Sequence, residues 1–134
     1  MPDKYEKYAY ALMRIMIGFL FLWHGTQKYF NFPPLPSGIV LPFYVVAIGG
    51  TVEFIGGILI CIGLFTRIAA FIACGEMAYA YWTAHAHRAI LPLVNMGELA
   101  VLYCFVFLFI FAHGSGIWSV DSIFKRRHKS EFTE

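Results

Sequence analysis

The chain has 134 residues, 60% of them hydrophobic and 19% aromatic, but only 13% charged, about half the charge of an ordinary soluble domain. With a mean hydropathy of +0.67, this composition excludes a typical water-soluble enzyme and points to one membrane domain. The net charge is only +2, and four of the ten Lys and Arg sit in Lys125-Arg126-Arg127-His128-Lys129, a placement that marks the cytoplasmic flank of a membrane segment rather than a nucleic-acid site.

The first predicted segment covers residues 9–30. Lys4 and Lys7 before an apolar run resemble a signal peptide. Arg14 interrupts that run and no small-x-small cleavage site follows His24, so the segment reads as a retained membrane helix. At about 100° per residue, Arg14, Gly18, Phe21, Gly25 and Lys28 share one face. Lys28, near the end, can snorkel, whereas Arg14 lies deeper and needs a partner. Asn31-Phe32-Pro33-Pro34-Leu35-Pro36-Ser37-Gly38 then stops the helix and reads as an apolar cap on the bilayer surface.

The second segment, residues 43–64, carries Glu53 as its only charge and is long enough to span a hydrocarbon core of ~30 Å. Gly49, Gly50, Gly56 and Gly57 fall within roughly 60° of Glu53. That face is a packing surface on which a second backbone can come close and a carboxylate can be hidden. The Glu is either polar glue between helices or the mark of a site. Thr66-Arg67 read as a short turn, so the third segment, residues 68–84, must return antiparallel. It repeats the pattern, with Ala69, Ala73, Ala80 and Thr83 around Glu76, and ends in an aromatic belt of Tyr79, Tyr81 and Trp82. The fourth segment, residues 92–112, opens with Asn95-Met96-Gly97-Glu98, which puts Asn95 and Glu98 one turn apart on one helix face. A basic tail over residues 122–134 follows.

The basic residues outside the spans fall mostly on one side. These are Lys4, Lys7, Arg67, Lys125, Arg126, Arg127 and Lys129, against Arg88 and Lys28 on the other. The expected architecture is therefore an all-α, up-down-up-down bundle of four membrane helices with both termini cytoplasmic. Depths counted along the helices place Arg14 in the cytoplasmic third, Glu53 and Glu76 near the midplane, and His24, Asn95 and Glu98 in the outer third. This column predicts that Arg14 pairs with Glu76 or Glu53, and that His24 or Lys28 pairs with Glu98. The column either specifies helix pairing or serves a ligand or protons. An aromatic wall beside His, Glu and Asn suits a quinone ring. Cys61, Cys74 and Cys104 are isolated in sequence and read as apolar filler. His85-x-His87 and a His24–His85 haem pair are weak patterns, so no metal or haem is expected.

Taken in order, five motifs resemble the DoxX family of small bacterial membrane proteins. They are Arg14…Gly18…Trp23-His24-Gly25…Lys28, Glu53-Phe54-Ile55-Gly56-Gly57, Gly63-Leu64-Phe65-Thr66-Arg67, Asn95-Met96-Gly97-Glu98, and Gly114-x-Gly116-x-Trp118-Ser119-Val120-Asp121. The resemblance implies a four-helix inner-membrane protein, a quinone-associated or accessory subunit of a membrane oxidoreductase system. Its expected partners are the bilayer, an oxidoreductase subunit and further copies of itself. A small-solute or proton-coupled transporter and a non-catalytic scaffold are the alternatives.

Overall fold

The computed structural model describes residues 2–131, so the last three residues of the expected tail lie outside the described residues. Among the described residues all regular structure is helical. The long elements are α1 (Pro2–Phe30), α2 (Gly50–Ile62), α3 (Thr66–Ala80) and α5 (Glu98–His113). A single helical turn, α4 (Pro92–Asn95), precedes α5, and α6 (Val120–Glu131) closes the chain. Two π-helical turns, Val45–Gly49 and Tyr81–His85, lengthen α2 and α3 at the same end of the molecule. With these additions, two helices are long and apolar enough to cross a membrane, Lys4–Phe30 and Val45–Ile62, and Glu98–His113 is a shorter apolar helix.

α1 and α2 pack antiparallel, backbone against backbone. A methyl group at Gly18 would lie 2.5 Å from the Cys61 nitrogen, one at Gly57 2.7 Å from the Leu22 nitrogen, and one at Gly25 2.4 Å from the Phe54 nitrogen. No real Cβ fits at such distances, so the glycines on both helices set the interaxial distance. Gly50 faces α1 beside Lys28, while Gly49 faces the Glu76 carboxylate on α3. The glycine face expected around Glu53 thus serves two neighbours.

α2 ends at Gly63, whose left-handed conformation (φ 73°) lets its N–H return to Leu59 O. The turn is Gly63–Phe65, and α3 begins at Thr66, two residues before the sequence suggested. α3 and α5 form the second antiparallel pair, with Phe71 against Phe111 (5.2 Å between centroids) and Cys74 Sγ 3.7 Å from Cys104 Sγ. Two of the three cysteines read as isolated, Cys74 and Cys104, are therefore neighbours across two helices. Phe21, Tyr103 and Phe107 stack between α1 and α5, all buried, and join the two pairs into one core.

The fourth expected segment is not one helix. Met96 adopts a left-handed conformation (φ 62°), and the Asn95 Oδ1 accepts the Gly97 N–H at 2.8 Å. This side-chain turn breaks the helix between α4 and α5. It sends Asn95 inward, 1% exposed, and Glu98 outward. The two residues do not share a helix face.

Candidate functional site

The predicted polar column divides into two separate clusters at opposite ends of the helices. One is built at the end that holds the chain's basic tail. Arg14, fully buried, donates from Nη1 to Ile60 O (2.7 Å) and Cys61 O (2.8 Å), and from Nη2 to Ile117 O (3.3 Å) and Trp118 O (2.7 Å). It therefore caps the last carbonyls of α2 and pins the 114–119 loop against them. A cation at a helix C-terminus is favourably placed, because the carbonyl dipoles there are unsatisfied and point at it. Arg67 does the same for α5, binding Phe111 O (2.6 Å), Ala112 O (2.8 Å) and His113 O (3.3 Å).

Asp121 completes this end. Phe65, at the start of α3, has no side chain able to cap the helix. The Asp121 carboxylate accepts instead from Phe65 N (2.9 Å), Thr66 N (3.0 Å) and Thr66 Oγ1 (2.9 Å). The Tyr10 hydroxyl donates to Gly114 O, and its ring stacks on His113 at 3.8 Å. The expected pairing of Arg14 with Glu53 or Glu76 is corrected here. Carbonyls of the α2 end and of the 117–118 loop hold both guanidinium Nη atoms, leaving Nε unpartnered among the described residues, and Lys28 lies 14 residues further along α1, ~21 Å away at helical rise.

The second cluster lies at the opposite end, below the 31–44 loop. Lys28 Nζ contacts both carboxylate oxygens of Glu53, at 2.8 and 2.5 Å, with the two side chains 15% and 5% exposed. The expectation that Lys28 or His24 meets Glu98 fails for a geometric reason, because the break at Met96 turns Glu98 out of the bundle. Glu76 is half-buried, and its carboxylate fills the notch left by Gly49, where a methyl group would sit 2.9 Å from Oε1. Its Oε2 is buried without a hydrogen-bond partner among the described residues. Glu76 lies within electrostatic range of both Glu53 and Lys28. His24, half-buried, meets the Tyr103 ring edge-on at 5.9 Å, and Tyr103 in turn senses Glu53.

Asn95 is internally satisfied. Its Nδ2 donates to Ala89 O (2.8 Å) and Tyr81 Oη (3.2 Å), and its backbone carbonyl lies 3.0 Å from His85 Nδ1. It holds the turn before α5 rather than lining the acidic cluster. Of the seven polar candidates, the structure brings Lys28, Glu53 and Glu76 together, with His24 beside Tyr103. Arg14, Asn95 and Glu98 stand apart. Sequence reasoning missed Tyr10, Thr66, Arg67, Ser119 and Asp121 as a tertiary knot. The available signal was that the motifs around residues 63–67 and 114–121 both combine turn glycines with a capping residue.

A single cation beside two acids, one of them with an unpartnered carboxylate oxygen, offers a donor and acceptors to a polar group. The knot at the other end binds its charges to backbone groups, with only the Arg14 Nε left over among the described residues, and fastens helices.

The DoxX family model matches residues 9–86, which contain Arg14, Lys28, Glu53, Arg67 and Glu76. A protein of Haemophilus influenzae described as "Uncharacterized protein" is 39% identical over 132 residues, covering 93% of this chain and 97% of its own. No solved structure matches the chain. With more than half its length matched, this all-helical membrane protein belongs to the DoxX family.

Proposed function

We propose that this protein is a multi-pass inner-membrane subunit that binds a quinone headgroup at Lys28, Glu53 and Glu76 and serves a membrane oxidoreductase system. In this reading α1, α2, α3 and α5 make four crossings, with both termini and the Arg67 turn on the cytoplasmic side. The excess of Lys and Arg at that end supports the orientation.

The observation that carries the site is the Glu76 Oε2, buried and unpartnered beside the Lys28–Glu53 ion pair. A buried polar atom without a partner is costly, and a ligand hydroxyl placed there removes the cost. The donor set fits the group: Lys28 can donate to a ring carbonyl, and Glu76 can accept from a ring hydroxyl. A bound quinone supplies two-electron, two-proton chemistry. This chain orients the ring between Lys28 and Glu76, on the side of Tyr103, and takes or returns a proton at Glu76 Oε2. Electrons come from a partner oxidoreductase subunit.

The test is equilibrium binding of decylubiquinone to the protein in nanodiscs. Wild type is expected to bind one per chain, and Glu76→Gln to bind about tenfold more weakly, the worth of one charge-assisted hydrogen bond. Equal affinity of the two proteins refutes the site.

The placement of two carboxylates around one lysine also favours a second reading, proton-coupled transport of a small solute. Uptake into proteoliposomes that follows an imposed proton gradient, with no quinone bound, selects it.

A further inference from the structure

We propose that the groove between the start of α1, the 117–119 loop and α6 binds the headgroup of an anionic phospholipid in the leaflet that faces the basic tail. The groove encloses about 590 Å³. Lys7 stands on one wall and Arg126 on the other, and no acid is among its lining residues. Two acids adjoin the lining in sequence, the exposed Glu6 and Asp121, and the Asp121 carboxylate is occupied by Phe65 and Thr66.

The walls are built for an interface. Lys7 Nζ lies 5.2 Å from the Tyr8 ring centroid, and Tyr8 packs on Trp118 at 5.5 Å. Trp118 is 56% exposed and held in a left-handed conformation (φ 54°) that non-glycine residues seldom adopt. Its backbone carbonyl is fixed by Arg14, so the knot that fastens the helices also displays an indole at the rim. Tyr and Trp settle at headgroup depth in bilayers.

Ile62, Ile117, Val120 and Ile123 supply the apolar part of the lining, and Ile123 and its neighbour Phe124 on α6 are 56% and 57% exposed. α6 combines these residues with the 125–129 basic run, the pattern of a helix that lies in the interface. The Ser119 and Ser122 hydroxyls donate back to the turn itself, so recognition of a phosphate falls to Lys7 and Arg126. Two cations beside an apolar lining match a lipid phosphodiester with its first acyl carbons. A free phosphate ion would leave the apolar lining and the aromatic rim unused.

Native mass spectrometry of the full chain in mild detergent tests this, with phosphatidylglycerol and phosphatidylcholine offered at equal concentration. One phosphatidylglycerol should be retained per chain in preference to phosphatidylcholine, and millimolar inorganic phosphate should not displace it. The Lys7→Gln/Arg126→Gln protein should lose about 30-fold in phosphatidylglycerol affinity. Lys125→Gln, outside the groove, should keep the wild-type value. Both positions in the double variant are exposed, and an unchanged melting temperature verifies that it folds. Equal retention of the two lipids, an unaffected double variant, displacement by phosphate, or an equal loss in Lys125→Gln each overturns the proposal.

Discussion

The two ends of this molecule use charge in opposite ways. At the tail end, Arg14, Arg67 and Asp121 bind backbone groups. These charges meet carbonyls and N–H groups at helix ends and in the 117–118 loop, and only the Arg14 Nε is left without a partner among the described residues. At the loop end, Lys28, Glu53 and Glu76 meet each other, and one carboxylate oxygen is left over. Charge that satisfies backbone fastens the fold, whereas charge that satisfies other side chains incompletely is available to a ligand.

The sharpest way to break this comparison is to remove the tail-end clamp. Arg14→Leu strips four carbonyls of their donor and should cost about 4 kcal/mol or more, the largest loss of any single substitution considered, read as the midpoint of denaturation in detergent. A loss under ~1 kcal/mol would mean the clamp is not what fastens this end. Next in size is Lys28→Met, which leaves Glu53 buried without its cation and should cost about 3 kcal/mol. Adding Glu53→Gln should restore part of that loss, and strict additivity in the double-mutant cycle would show that the pair is not coupled. Asp121→Asn halves the acceptor capacity over Phe65 and Thr66 and should cost about 1 kcal/mol, in the range of a lost N-cap. Smallest is Glu98→Gln. Because Glu98 points out of the bundle, the change should stay within about 0.5 kcal/mol, and a larger loss would place Glu98 back among the interior acids.

Much of the fold was legible. The apolar composition, the glycine and charge stripe on α1 and the carboxylate among glycines on α2 all follow helical spacing, and the structure uses Gly18, Gly25, Gly50 and Gly57 as packing positions. Partner choice was not legible. Depth along separate helices ranks Arg14 near the acids. A guanidinium can equally be satisfied by helix-end carbonyls, and these are invisible in a sequence because every residue has one. Glu98 was misplaced because helical periodicity was carried through Met96-Gly97, where a side-chain turn by Asn95 ends one helix and starts another. Cys74 and Cys104 meet only because α3 and α5 share a register, and 30 residues of separation give no hint of that.

The measurement that bears most directly on the division between the two ends is the shift in melting temperature on adding decylubiquinone to wild type, Asp121→Asn and Glu76→Gln. A ligand at a hundredfold excess over its Kd adds about 2.7 kcal/mol of stability. Wild type and Asp121→Asn should therefore melt several degrees higher with decylubiquinone, and Glu76→Gln, binding about tenfold more weakly, should gain only about 1.4 kcal/mol, about half the wild-type shift. A wild type that does not shift, or a Glu76→Gln protein that shifts as far as wild type, contradicts the assignment of the loop end as the site.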